Sequence, residues 1–130
     1  MPFEITFPTR HTDAFAGTGF VHAGVLLSLT EMAYAAFEKH CGLSKEDHVY
    51  AVQRATEVKY FAPLGWHEDA TIRVKTLSAS ARGFDQEFEV LSARDGRKIA
   101  SFQHHWVWMD TRAGAAVPLP EEVQSQLLVG

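Results

Sequence analysis

The sequence predicts an α+β domain in which one long helix lies on one face of an antiparallel sheet. Three observations lead to this class. Residues 23–41 are mostly strong helix formers with an apolar stripe, and a glycine that can end a helix follows them. Two later runs, 70–76 and 84–90, alternate apolar and polar residues, as half-buried strands do. Asp95-Gly96, between two such runs, is typical of a β-hairpin turn.

The other elements follow from local signals. Residues 3–10 are predicted to be extended, and the polar, glycine-rich residues 11–19 are predicted to form a loop without regular structure. The helix at 23–41 is apolar nearly all round in its first half, so we expect a large element to wrap it. The remaining predicted elements are strands at 51–61, 70–76, 84–90 and 99–109 and a short terminal helix at 118–128.

Length and composition limit the classes of protein. A chain of 130 residues with 46% hydrophobic and 22% charged residues predicts one compact domain over residues 1–130. A formal net charge of −4 provides no basic field, which argues against nucleic acid as the main partner. No apolar stretch approaches the roughly 20 residues that a membrane span needs, so no membrane partner is expected.

Cysteine usage and the N-terminus predict a cytoplasmic location. Cys41 is the single cysteine and cannot form an internal disulfide. The first residues, Met1-Pro2-Phe3-Glu4, lack the basic and apolar regions of a signal peptide. Both features are typical of a protein in a reducing compartment.

Glu31 is the notable polar residue of the predicted helix. Positions 27, 31 and 35 share a helical face, so Leu27 and Ala35 flank this carboxylate and leave it poorly solvated. Enzymes use desolvation to make a carboxylate a nucleophile or general base near neutral pH. The alternative is that Glu31 points to solvent or pairs with a cation such as Lys75 or Arg54.

His22 and Gly24 lie where the loop leads into the helix. Open backbone N–H groups at a helix N-terminus, with the favourable end of the helix dipole, can stabilise an oxygen that gains negative charge. A glycine also allows a substrate to approach the backbone closely. The alternatives are that His22 only caps or packs at the helix start and that Gly24 only permits a tight turn.

The spacing of these residues resembles a known family. His22-Ala23-Gly24, with Glu31-Met32 nine residues after the histidine, resembles the motif of hotdog-fold thioesterases of the phenylacetyl-CoA and Arthrobacter-type 4-hydroxybenzoyl-CoA group. Thr12-Asp13, Gly19 and the helix glutamate are similar to the pattern of the other 4-hydroxybenzoyl-CoA thioesterase branch. The segment Val58 to Gly65 is similar to the strand, proline and glycine that follow the helix in hotdog proteins.

The resemblance implies a fold, an assembly and a reaction. The fold would be a central helix wrapped by a curved antiparallel sheet of about five strands, and two chains would share one continuous sheet with active sites at their interface. Glu31 would attack the thioester carbonyl of an acyl-CoA or activate the water that does so. The Gly24 N–H would polarise the carbonyl oxygen, supported by His22. Asp13, the carboxylate of the other branch, is a second candidate base.

The sequence also suggests residues that bind the substrate. Phe20 and Ala23 are candidates for an apolar or aryl-binding pocket at the helix start, and Arg82 is the candidate for the phosphates of coenzyme A. Ala35 stands where the family has a hydroxyl, one turn after the glutamate. Apart from coenzyme A as part of the substrate, we expect no cofactor, and the partner would be a second copy in a dimer or a dimer of dimers.

His104 and His105 are adjacent on a predicted strand and therefore point to opposite faces. They cannot ligate one ion together without further ligands, so no metal site is predicted. The even positions 102–108 share a face and are expected in the core or a subunit interface. Two other functions stay open, namely an acyl-thioester dehydratase or hydratase that uses Asp13 and His22, and a non-catalytic acyl-CoA-binding module.

Overall fold

The computed structural model of the chain describes residues 3–15 and 17–130. Both predicted helices and the predicted strands are present. The predicted long helix has the observed bounds, and the strands predicted at 70–76, 84–90 and 99–109 extend a few residues beyond them. The first strand ends at residue 7 instead of the predicted 10, and the second spans 49–60 instead of 51–61. The elements in chain order are β1 (Phe3–Phe7), a 3-10 turn (His11–Asp13), α1 (Ala23–Cys41), β2 (Val49–Tyr60), β3 (Ala70–Ser80), β4 (Gly83–Ser92), β5 (Lys98–Asp110), β6 (Ala115–Val117) and α2 (Glu121–Val129).

The C-terminal end of α1 is set by Gly42. This residue adopts a left-handed conformation with φ of 62°, which costs little for a residue without a Cβ atom. Its N–H donates to the carbonyl oxygens of Glu38 at 3.1 Å and Lys39 at 3.3 Å, which would otherwise lack a partner at the helix end. In the part of the chain that the structure describes, no helix has the length and hydropathy of a membrane span.

The strands form one antiparallel sheet in the order β1-β3-β4-β5-β2, and β6 pairs with the end of β5. The β4–β5 hairpin turns at the predicted Asp95-Gly96, where Gly96 has a φ of 74°. Consecutive strands β3, β4 and β5 are neighbours, whereas β2 crosses over to the far side of β5. The sheet therefore ends in β1 at one edge and β2 at the other.

The core lies between α1 and one face of the sheet. Alternate residues of β4 and β5 point toward the helix, and the predicted even positions 102, 104, 106 and 108 are all buried on this face. The helix contributes Leu26, Ala33 and Phe37 to the same core. The expected wrapping of α1 is only partial within one chain, because the sheet covers one side of the helix. The uncovered side exposes Ala23, Gly24, Ser28, Glu31 and Met32.

Strand β2 is unusually exposed for a strand of 12 residues. Every residue from Arg54 to Tyr60 is exposed, although a strand at the edge of a packed sheet normally buries one face. Three of its apolar side chains keep much of their surface in solvent: Val52 at 41%, Val58 at 38% and Tyr60 at 55%. The chain thus has an open, partly apolar sheet edge, a feature that proteins usually cover.

Candidate active site

The segment from Asp13 to His22 doubles back and brings the residue of the 3-10 turn to the start of α1. The N–H of His22 donates to the carbonyl oxygen of Asp13 at 2.8 Å, and the N–H of Phe15 donates to the carbonyl oxygen of Phe20 at 2.7 Å. The prediction of a loop without regular structure is therefore wrong in part, because the segment contains a 3-10 turn and an antiparallel bridge between Ala14 and Val21. Residue 16 of that predicted loop lies outside the described residues.

Asp13 is buried, with 8% of its surface exposed. Its Oδ2 accepts a hydrogen bond from the backbone N–H of Arg10 at 2.8 Å, and its Oδ1 lies 3.2 Å from Arg10 Nη2. The residue also lines a cavity of about 490 Å³ together with α1 residues that include Ser28 and Met32. The carboxylate is therefore held in place and still borders open space.

His22 is the N-cap of α1. Its extended backbone (φ −64°, ψ 141°) leads into the helix, and its Nδ1 accepts a hydrogen bond from the N–H of Gly24 at 2.9 Å. The amide predicted to polarise a carbonyl is thus engaged by the neighbouring imidazole. The N–H of Ala23, the first helical residue, has no acceptor among residues 3–15 and 17–130. The helix start therefore offers Ala23 as an open donor and Gly24 as a donor that becomes open when the His22 ring moves.

Glu31 is exposed on one flank of α1. The buried positions of α1 are 26, 29, 30, 33, 34 and 37, and residue 31 lies outside this set. Glu38 lies on the same flank, seven residues later, and pairs at 3.6 Å with Lys45, whose Nζ donates to the carbonyl oxygen of Val49 in β2.

Within one chain, Glu31 is neither desolvated nor paired. The expectation that flanking apolar residues shield it is not met, because Ala35 is exposed and Leu27 only half-buried beside it. Across the described ranges, neither Arg54 nor Lys75 forms an ion pair with this carboxylate. Any shielding of Glu31 must therefore come from outside the chain.

The start of α1 opens onto an apolar cavity of about 350 Å³. The predicted substrate-binding residues Phe20 and Ala23 both line it, so the fold brings these two together as expected. The opposite wall comes from the end of β2 and the turn that follows it, with Tyr60, Phe61 and Leu64. The cavity has the lining that an acyl or aryl group requires.

Arg82 is not brought to this site within one chain. It is exposed in the turn between β3 and β4, where its N–H donates to Ser80 Oγ at 3.2 Å. The adjoining Phe84 lies 6.0 Å, between ring centroids, from Tyr34 of α1. Tyr34 follows Ala23 by eleven residues, which is about 16 Å along a helix. The position of Arg82 beside Gly83 in the sequence therefore did not predict on which side of the fold Arg82 lies.

The segment after β2 holds the helix start in place. The N–H of Val21 donates to the carbonyl oxygen of Leu64 at 2.7 Å, and the N–H of Trp66 donates to the carbonyl oxygen of Gly19 at 3.1 Å. The residues that precede α1 therefore form part of a small backbone network with residues 64–66. Leu64 also belongs to the apolar cavity, so this network ties the cavity wall to the helix start.

Glu68 anchors that network, and the sequence analysis did not single it out. The residue is 7% exposed; its Oε2 accepts from the Gly65 N–H at 2.9 Å and its Oε1 from Ser92 Oγ at 2.7 Å. Arg97 Nη2 lies 3.1 Å and 3.0 Å from the two carboxylate oxygens. This hydrogen bond from Arg97, aided by those from Gly65 and Ser92, holds the pKa of the Glu68 carboxyl at about 2. No periodicity marks Glu68, because its side-chain partners Ser92 and Arg97 are 24 and 29 residues away.

His104 and His105 point to opposite faces of β5, as predicted. His104 is fully buried beneath α1. The Nδ1 of His105 forms a hydrogen bond with Asp85 Oδ1 on the other face of the sheet. Throughout residues 3–15 and 17–130, no three His, Cys, Asp or Glu side chains are arranged to hold a metal ion.

Comparison with known proteins defines the class. The profile of the thioesterase-like superfamily matches residues 10–127, so the chain belongs to this superfamily. No curated protein sequence is significantly similar to the chain.

Solved structures share the fold at low sequence identity. A 1,4-dihydroxy-2-naphthoyl-CoA thioesterase from Synechocystis is 20% identical with a TM-score of 0.83, covering 98% of this chain and 96% of its own. A gentisyl-coenzyme A thioesterase is 20% identical with a TM-score of 0.85, covering 96% of this chain and 99% of its own. A Thermus thermophilus thioesterase in complex with coenzyme A and Zn is 23% identical with a TM-score of 0.82, covering 97% of this chain and 92% of its own. The predicted hotdog fold is thereby confirmed.

Proposed function

We propose that this protein hydrolyses an acyl- or aryl-CoA thioester to the free acid and coenzyme A. One observation carries the proposal: at the start of α1, the open N–H of Ala23 adjoins an apolar cavity of about 350 Å³. An amide at a helix N-terminus stabilises the oxyanion that forms when a thioester carbonyl is attacked. The thioesterase-like superfamily and the thioesterase neighbours of the fold support the same reaction class.

The first candidate for the attacking group is Glu31. As a nucleophile, one of its carboxylate oxygens would bond to the thioester carbonyl carbon, the carbon–sulfur bond would break, and the thiolate of coenzyme A would leave and take up a proton. Water would then hydrolyse the resulting anhydride to the free acid and restore Glu31. As a general base, Glu31 would instead remove a proton from the water that attacks the carbonyl.

The distance between Glu31 and Ala23 favours a site built by two chains. Glu31 lies eight residues after Ala23, or about 12 Å along the helix, so the two groups of one chain do not reach the same carbonyl. The Ala23 amide of one chain and the Glu31 carboxylate of another chain would be able to reach the same thioester carbonyl. We therefore propose that the working form is a dimer or a dimer of dimers.

Strand β2 is the proposed contact between the two chains. Its outer edge is unpaired, and antiparallel pairing with the same strand of a second copy would continue the sheet. The exposed Val52, Val58 and Tyr60 would then be covered. The second chain would also supply the shielding from solvent that Glu31 lacks within one chain.

Asp13 is the second candidate for the base. It is buried beside the start of α1, and its carbonyl oxygen accepts a hydrogen bond from the N–H of His22. With Asp13 as the base, the carboxylate and the Ala23 amide would come from the same chain. The runner-up function, an acyl-thioester dehydratase or hydratase, would use Asp13 and His22 for acid–base chemistry.

We assign no metal or prosthetic group to the reaction, since coenzyme A enters as part of the substrate. We place the reaction in the cytoplasm.

A non-catalytic acyl-CoA-binding module is the remaining alternative, and the replacement of the family's hydroxyl by Ala35 favours it.

The deciding experiment measures free-thiol release from a panel of short, long and aryl acyl-CoAs. Wild type is compared with Glu31→Gln, Asp13→Asn and, as a control on an exposed glutamate of α2, Glu121→Gln. We expect hydrolysis by wild type and Glu121→Gln and a loss of at least about 100-fold in kcat for the variant that removes the attacking carboxylate. Binding of acyl-CoA without thiol release would contradict the hydrolase and support the binding module.

A further inference from the structure

A row of polar side chains crosses the helix-facing side of the sheet, buried at its centre and exposed at its β2 end. The strand register places Thr76, Gln86, His104 and Thr56 side by side on β3, β4, β5 and β2. Gln86 and His104 have no exposed surface. Buried polar groups destabilise a fold unless they are hydrogen-bonded, so the partners within this row indicate what holds each residue in place.

His104 is bonded in two directions. Its Nε2 lies 2.8 Å from Thr30 Oγ1 on α1, and its Nδ1 lies 2.9 Å from Thr56 Oγ1 on β2. Thr30 is itself fully buried, and its hydroxyl donates to the carbonyl oxygen of Leu27 at 2.7 Å. Through these bonds the His104 ring connects the helix turn that carries Glu31 to the open edge strand β2.

The directions of these hydrogen bonds follow from counting protons. Thr30 has one hydroxyl proton and donates it to Leu27, so it accepts from His104 Nε2–H. Burial lowers the pKa of His104 to about 4, so the ring is neutral at pH 7 and its Nδ1 accepts from the Thr56 hydroxyl.

The same count of protons indicates the orientation of the Gln53 side-chain amide, that is, which of its two end atoms is the nitrogen. Gln53 Oε1 lies 3.1 Å from Thr56 Oγ1, but the Thr56 proton is already donated to His104, and Gln53 Nε2 is buried without a partner among the described residues. Exchanging the amide oxygen and nitrogen of Gln53, which have nearly the same shape, lets the nitrogen donate to Thr56, and we assign this orientation. The result is a chain of hydrogen bonds that runs from Gln53 through Thr56 and His104 to Thr30.

We propose that His104 is a positioning residue for Glu31. Glu31 makes no side-chain hydrogen bond within residues 3–15 and 17–130, so the backbone of its own helix turn sets its position. Thr30, the preceding residue, has a side chain that is hydrogen-bonded to the sheet through His104. His104 thereby holds the carboxylate at a constant offset from β2, the strand at which a second chain is proposed to join. The inference rests on the proposed function and on Glu31 as the attacking group.

A control lies in the same polar row. Gln86 Nε2 donates to Thr76 Oγ1 at 3.1 Å, and this bond connects β4 to β3, on the side away from β2. Thr76→Val removes a hydroxyl of the row without touching α1, whereas Thr30→Val removes one that holds the helix. Both substitutions exchange a hydroxyl for a methyl group of similar size.

The experiment compares kcat, KM and urea unfolding for wild type, Thr30→Val, Thr30→Ser and Thr76→Val with the best acyl-CoA of the panel. We expect Thr30→Val to lower kcat by about tenfold with little change in KM, because a displaced catalytic group slows the chemical step. Thr30→Ser, which keeps the hydroxyl, should restore kcat, and Thr76→Val should leave it unchanged. If Thr30→Val does not fold, Thr56→Val tests the other end of the same connection, with the same expected loss of kcat.

Several outcomes would overturn the inference. An unchanged kcat in the folded variants, or equal losses of kcat in Thr30→Val and Thr76→Val, would show that the polar row only packs the core and does not position Glu31. Full activity of Glu31→Gln would leave the thioesterase function intact while removing the group that His104 is proposed to position. A wild-type protein without hydrolysis on any acyl-CoA would instead overturn the proposed function itself.

Discussion

The N–H of His22 and the carbonyl oxygen of Asp13 form a hydrogen bond of 2.8 Å. This bond fixes two candidate site residues, nine positions apart in the sequence, on either side of a reversal of the chain. The same histidine caps α1 through its Nδ1. The geometry of the helix start therefore depends on a backbone bond and a side-chain bond of one residue.

Removing the cap should destabilise α1 without removing the candidate amide. We expect His22→Ala to lower the free energy of unfolding by about 1 kcal/mol, because the N–H of Gly24 loses its acceptor. His22→Asn keeps a side-chain acceptor at the N-cap and should recover most of that stability. Urea unfolding measures both variants; equal stability of His22→Ala and wild type would show that the bond contributes nothing.

The N–H donor of residue 23 can be removed by a proline substitution without altering the helix. Proline is tolerated at the first helical position, and the extended backbone of His22 is compatible with a following proline. We expect Ala23→Pro to keep the stability of wild type and to lower kcat by about 100-fold, since the loss of one oxyanion donor has this size. Ala23→Ser, which keeps the N–H, is the matched control. Comparable kcat values for the two variants would exclude Ala23 as a donor.

Glu68 should make the protein sensitive to acid. Its carboxyl has a pKa of about 2 in the folded protein, against 4.5 for an unperturbed glutamate, because Arg97, Gly65 and Ser92 bond to the charged form. A depressed pKa contributes stability above the unfolded value, and that stability is lost as the pH falls from about 5 toward 2. We expect Glu68→Gln to cost about 2 kcal/mol at pH 7, and the difference from wild type to shrink over that range.

The control for Glu68 is Glu89→Gln, which removes the more exposed pairs with Lys98 at 3.4 Å and Arg73 at 3.8 Å. Such pairs contribute less than about 1 kcal/mol. Unfolding curves from pH 2 to pH 7 compare the variants. A Glu68→Gln variant whose stability deficit stays constant with pH would contradict the assigned ionisation.

Gly83 occupies a position that no other residue can fill without movement of the sheet. Its φ is 146°, and a Cβ atom would lie 2.2 Å from the carbonyl oxygen of Trp106. We expect Gly83→Ala to destabilise the protein by about 3 kcal/mol through strain and overlap with the neighbouring strand. Gly96 has a φ of 74° with open space around the Cβ position, so Gly96→Ala should lower the free energy of unfolding by only about 1 kcal/mol. Thermal unfolding ranks the two variants, and the reverse order would exclude the close approach at Gly83.

The proposed contact at β2 predicts a change of assembly. Val58→Glu would bury a charge between two chains, so we expect a shift toward monomer and a parallel loss of thioesterase activity. Leu77→Glu, at a comparably exposed apolar side chain of β3 (42% against 38%), is the control and should keep both properties. Light scattering and thiol release measure the outcome. Full activity of a monomeric Val58→Glu variant would place the whole site within one chain.

The local elements could be predicted because their signals are local. The bounds of α1 follow from helix formers and the terminal Gly42, and alternation along 84–90 and 99–109 indicated which residues face the core. Phe20 and Ala23 were predicted beside one pocket because both adjoin the helix start in sequence. The contribution of Glu68 could not be predicted, because its side-chain partners Ser92 and Arg97 lie at the end of β4 and in the turn that follows it, far along the chain.

The sequence by itself determined the fold class, the long helix with its capped start, and the candidate carboxylates Asp13 and Glu31, because periodicity, capping and motif spacing are encoded within a few residues. The tertiary structure decided which of these groups are buried and which amides stay open. It also decided that Arg82 lies away from the helix start and that His104 connects α1 to β2. Burial, hydrogen bonding and distance across the sheet depend on how strands pair over long separations, and no local pattern in the chain records that pairing.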